Sequence, residues 1–81
     1  MQVKVVFFGS LSESVPADPA QIELAVGMTV GGLRRQLCEE FPQAASALGS
    51  AMVAIDTEYS RDDSVLKDGV EVAFLPPVSG G

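Results

Sequence analysis

A chain of 81 residues has volume for one hydrophobic core and none to divide, and with 47% hydrophobic and 20% charged residues it falls on the globular side of the boundary with disorder. Cys38 is the only cysteine and histidine is absent, which excludes a disulfide framework, a Cys/His metal cluster and any Ser-His or Cys-His nucleophile pair, so no metal site is expected. A formal charge of -6 disfavours nucleic acid and anionic membrane and favours a basic protein partner; MQVKVVFFGS is too brief an apolar run for a signal peptide or a span, so a soluble protein of a reducing cytoplasm is expected.

VKVVFF (3–8) puts Val3, Val5 and Phe7 on one face and Lys4, Val6 and Phe8 on the other, and reads as a first strand. SLSESVPADP supplies turn and cap residues, after which QIELAV (21–26) resumes a period of two and pairs back on the first strand as a hairpin. Thr29 is placed to cap a helix whose apolar stripe is Val30, Leu33, Leu37 and Phe41, and Pro42 ends it. Gly31 and Gly32 cost roughly 1 kcal/mol each inside a helix, which predicts that its first turn lies against another backbone through tight packing on the sheet. QAASAL (43–48) adds a short helical turn and AMVAI (51–55) a buried strand. A short edge strand follows near 58–60, KDG turns the chain, and VEVAFL (70–75) is the last strand. This order predicts a small α+β roll over 1–75 with an extended tail over 76–81.

Asp62, Asp63, Asp68 and Glu71 sit in loop and strand-edge contexts and read as solvated charges, not as a catalytic dyad. Cys38 falls on the flank of the apolar stripe, where a small thiol is packing, and Arg34 and Arg35 are expected to face solvent and pair with Glu39. No phosphate-cradling G-x-x-x-x-G-K is present, so any nucleotide chemistry belongs to a partner.

The ending FLPPVSGG (74–81) is different in kind. At an average glycine usage of ~7%, two consecutive terminal glycines arise by chance in about 0.5% of chains. Gly80 and Gly81 have no Cβ and can thread a narrow channel, while Pro76 and Pro77 stiffen the exit and lower the entropy lost on ordering. The stretch from Pro76 to Gly81 spans about 20 Å when extended. The α-carboxylate of Gly81, ionised at neutral pH, can attack a phosphoryl centre if a partner positions ATP.

VKVVFFG, TVGGLRRQL, VAID and LKDGVEVAFLPPVSGG resemble the MoaD-type small subunits of molybdopterin synthase, and the resemblance runs the full length. Its most specific part is DGVEVAFLPPVSGG, close to the family's D-G-D-E-V-A-F-x-P-P-V-S/T-G-G. The chain departs from the pattern with GSLSES where many relatives have a basic residue, and with Asp56 where many have Asn. The resemblance implies a ubiquitin-like β-grasp fold, a mixed sheet with one main helix packed on it. It further implies a sulfur carrier that binds no cofactor itself: an ATP-dependent adenylating enzyme activates Gly81, and a sulfur donor protein converts the adenylate to a thiocarboxylate. The tail, Pro76, Pro77, Val78, Ser79 and Gly80 leading to Gly81, then inserts into a large subunit that supplies the catalytic side chains for sulfur transfer to a cyclic pyranopterin. The implied assembly has two small and two large subunits. In a β-grasp sheet the first and last strands are neighbours, so outward-facing Phe8 and Leu75, with Tyr59, are expected to form the docking patch for that large subunit. Three alternatives share the tail: a carrier for thiamine thiazole or tRNA thiolation, a ubiquitin-like modifier of lysines, and an interaction module whose tail is idle.

Overall fold

Apolar residues at every second position commit one side of β1 (Gln2–Phe7) to the interior: Val3, Val5 and Phe7 are buried, while on the other side Gln2 and Lys4 are exposed and Val6 is half-buried. In the computed structural model, which describes residues 1–13, 15 and 20–76, β1 is joined by β2 (Ala20–Glu23), β3 (Met52–Ile55), β4 (Glu58–Tyr59) and β5 (Glu71–Leu75). The order across the sheet is β2-β1-β5-β3-β4, with β1 and β5 parallel and the remaining pairs antiparallel. A parallel pair needs a long crossover. Here the intervening chain carries the helices, and the result is the expected β-grasp arrangement.

The helix α1 (Val30–Glu40) starts where the Thr29 hydroxyl accepts the Gly32 N–H at 3.1 Å, and it stops at Phe41, whose N–H returns to the Leu37 carbonyl at 2.8 Å ahead of Pro42. Its Val30, Leu33 and Leu37 are fully enclosed with Val3, Val5, Val72 and Phe74 in one core, where the Phe7 and Phe74 rings meet at 5.7 Å. Burying each such side chain contributes roughly 1.5–3 kcal/mol. QAASAL forms more than the single turn expected: a 3-10 turn over Pro42–Ala44 runs into α2 (Ala45–Ser50), which buries Leu48. β2 is shorter than predicted: its pairing ends with Leu24, which exchanges bonds with Met1 and buries its side chain, ahead of a turn at Gly27, φ +93°.

Two expectations change. Gly31 does lie against another backbone, but that backbone is the loop after β4: its N–H donates to the Asp62 carbonyl at 2.9 Å, and a Cβ there would stand 3.2 Å from the same oxygen. Arg34 does not face solvent or pair with Glu39. Its guanidinium donates to the carbonyls of Leu48 and Ala51, both at 2.7 Å, and to the Asp62 carboxylate at 2.9 Å, tying α1 to the end of α2 and to the β4 loop. Arg35 is exposed, as expected.

Candidate docking face and tail exit

The core takes one face of the sheet and leaves the other uncovered. The parallel register sets Lys4 beside Glu71 and Val6 beside Ala73, and a further bond from the Phe8 N–H to the Phe74 carbonyl, 3.0 Å, carries the pairing one step past β1. Phe8 therefore stands next to Leu75, which in turn faces Met52, while Ala54 lies between Ala73 and Tyr59. The outer face is thus graded: Lys4 and Glu71 form an ion pair at 3.8 Å at one end, and apolar side chains gather at the other.

Phe8, Tyr59 and Leu75 come together there, as expected, around a groove of about 230 Å³ that Ala54, Ala73, Thr57 and Glu71 complete. Small side chains at Ala54 and Ala73 make the hollow possible. Phe8 is 46% exposed and Tyr59 67%, so two large open side chains stand over the groove. Glu71 is the one carboxylate among the described residues that line the groove. Asp56 is bonded into the sheet. Its carboxylate accepts the Glu71 N–H at 2.9 Å, and its own N–H returns to the Glu71 carbonyl at 2.9 Å. An asparagine oxygen accepts the same bond, so this departure from the family pattern leaves the geometry intact.

Sequence reasoning missed Gly9. It has φ +60°, a conformation that disfavours side chains, and a Cβ there would stand 2.9 Å from Pro76 Cγ. The missing side chain lets Pro76, the last described residue, settle onto the chain just beyond Phe8, next to Leu75 of the groove. The only sequence signal was a glycine directly after the strand. Of the expected tail residues, Pro77, Val78, Ser79, Gly80 and Gly81 lie outside the described residues.

The carboxylates Asp62, Asp63 and Asp68 are exposed, as expected, and two of them are also bonded to the fold. Asp62 binds Arg34, Asp68 accepts the Gln2 N–H at 2.7 Å, and Asp63 lies 3.8 Å from Arg61. Cys38 packs against the core, its thiol 3.6 Å from the Ala45 carbonyl. No helix among the described residues is long and apolar enough to cross a membrane.

The strand order β2-β1-β5-β3-β4, with the helices in the crossover between the parallel β1 and β5, defines the class of ubiquitin-like β-grasp folds. Within that class the chain belongs to the ThiS family, whose model matches residues 5–81. It is 36% identical to the molybdopterin synthase sulfur carrier subunit of Chlamydomonas reinhardtii, with all of both chains aligned. Among solved structures it is similar to the putative molybdopterin converting factor subunit 1 of Pyrococcus furiosus, with a TM-score of 0.84 at 26% identity over 95% of this chain and 98% of that one. It is also similar to a chain in the complex of subunits 1 and 2 of the molybdopterin-converting factor of Helicobacter pylori, with a TM-score of 0.70 at 28% identity over the whole of both chains.

Proposed function

We propose that this chain is the sulfur-carrier subunit of molybdopterin synthase. The observation that supports it best is the adjacency of groove and exit: with Pro76 seated on Gly9 beside Phe8 and Leu75, a protein that covers the groove also receives the tail. The complex-forming relative in Helicobacter pylori identifies the kind of partner, a large subunit.

In this reading an adenylating enzyme presents ATP to the Gly81 carboxylate, which attacks the α-phosphorus and expels pyrophosphate. A free carboxylate is a poor electrophile, whereas the mixed anhydride has AMP as leaving group, so a sulfur donor protein can deliver sulfur to the same carbon. The thiocarboxylate then enters the large subunit, whose side chains catalyse sulfur transfer to the cyclic pyranopterin. The carrier is thus the sulfur-donating part of a sulfurtransferase and holds no cofactor of its own. A free thiol at Cys38 and an oxidisable thiocarboxylate both suit the cytoplasm.

The experiment is to delete Gly81, or to replace it as Gly81→Val, in the reconstituted system of activating enzyme, ATP, sulfur donor and large subunit. Deletion shortens the reach by about 3.5 Å, and a misplacement of even 1 Å costs roughly a hundredfold in rate. A β-branched residue clashes in a channel sized for glycine. Dithiolene formation should collapse in both variants with an unchanged melting curve. A truncated chain that forms dithiolene at the normal rate contradicts the proposal.

A further inference from the structure

Ile55 pairs with Glu58, so the β3–β4 hairpin turns on two residues, Asp56 at φ +48° and Thr57 at φ +73°. Two positive φ values in a two-residue loop are the signature of a type I′ turn, whose second position strongly prefers glycine. A β-branched threonine there is a backbone outlier, and such strain persists where something other than local preference requires the residue. The fold itself supplies no such reason. The Thr57 side chain is exposed and has no hydrogen-bond partner among the described residues, whereas its neighbour Asp56 is bonded twice to Glu71. What Thr57 does share is the groove, which it lines with Phe8, Tyr59 and Leu75.

We infer that Thr57 is a specificity-determining residue of the docking face, kept for its side chain at a cost to the stability of the free domain. The inference rests on the reading of the groove as the seat of the large subunit. In a groove walled mainly by apolar groups, Thr57 offers both a methyl that extends the Tyr59 surface and a hydroxyl that donates and accepts. A partner with a polar group opposite that hydroxyl is held in one register, and a partner lacking it leaves the hydroxyl desolvated and unpaired, which is how a related large subunit is rejected.

Because fold and docking make opposite demands, substitution separates them. Thr57→Gly and Thr57→Asn, both at home in a left-handed turn, should raise the Tm of the isolated domain, by about 4 °C for glycine. Thr57→Gly should weaken binding to the cognate large subunit roughly tenfold, the loss of one apolar contact and one hydrogen bond at an interface, and Thr57→Asn, which loses the methyl and sets its polar atoms one bond further out, should weaken it at least about threefold. Thr57→Ser keeps the hydroxyl and should weaken binding only about threefold. Asparagine guards against the objection that glycine merely loosens the turn. If the wild-type chain binds the large subunit and both variants bind equally well, Thr57 is not a docking residue. If the variants do not gain stability, the fold needs the side chain after all and the inference falls. If the wild-type chain does not bind the large subunit, the reading of the groove fails first, and this inference with it.

Discussion

Phe8 offers the sharpest measure of the docking face. A phenylalanine side chain presents roughly 200 Å², and since Phe8 is 46% exposed, about 90 Å² is left for a partner to cover. At ~25 cal/mol per Å² that coverage contributes about 2.3 kcal/mol, or about fiftyfold in Kd. Phe8→Ala should weaken binding to the large subunit by that factor, and Phe8→Asp by more, because a carboxylate would be desolvated in an apolar seat. Isothermal calorimetry measures the affinity, and circular dichroism checks that the fold survives. Val26, 88% exposed and outside the groove, is the control: Val26→Asp should leave Kd unchanged. Unchanged affinity in a folded Phe8→Asp variant, or equal losses at both positions, would refute the assignment of this face.

Removing Arg34 should cost stability out of proportion to its visible ion pair. Arg34→Met strands the Leu48 and Ala51 carbonyls, an expected loss of about 2–3 kcal/mol that lowers Tm by roughly 10–20 °C, whereas Asp62→Asn breaks only a bridge to a side chain that is 64% exposed and should shift Tm little. Thermal melts of the two variants check this, and equal shifts would count against it. Cys38→Ser should leave the rate of sulfur transfer unchanged, since the proposed function holds the carried atom on the main-chain terminus. A collapse of transfer in a well-folded Cys38→Ser variant would make that thiol a relay.

Patterns with a short period were legible in the residues. Alternation in 3–8 and 70–75 put Val3, Val5 and Phe7 on one face and Phe8 and Leu75 outward, because a strand's two faces follow directly from parity. Thr29 and Pro42 bounded α1 because caps and breakers act within one turn. What escaped depends on distant partners. Arg34 looked like a surface residue because the carbonyls it binds lie 14 to 17 residues away, on a helix end that only the tertiary fold brings near. Gly31 was tied to the wrong neighbour for the same reason: the loop at Asp62 reaches it only after β4 has folded back. Gly9 and Thr57 matter through their φ angles, and a threonine in a left-handed turn contradicts the local preference from which sequence reasoning works.

In the proposed function sulfur rides on the carboxyl carbon of Gly81, and intact-mass spectrometry can read it there. After incubation with the activating enzyme, ATP and a sulfur donor, the protein should gain the difference between one sulfur and one oxygen, and fragmentation should place that gain on Gly81. The gain should disappear on reaction with the large subunit and its pyranopterin substrate. A sulfur found on Cys38, or no mass change under conditions in which the activating enzyme consumes ATP, would rule out a carrier that loads sulfur on Gly81.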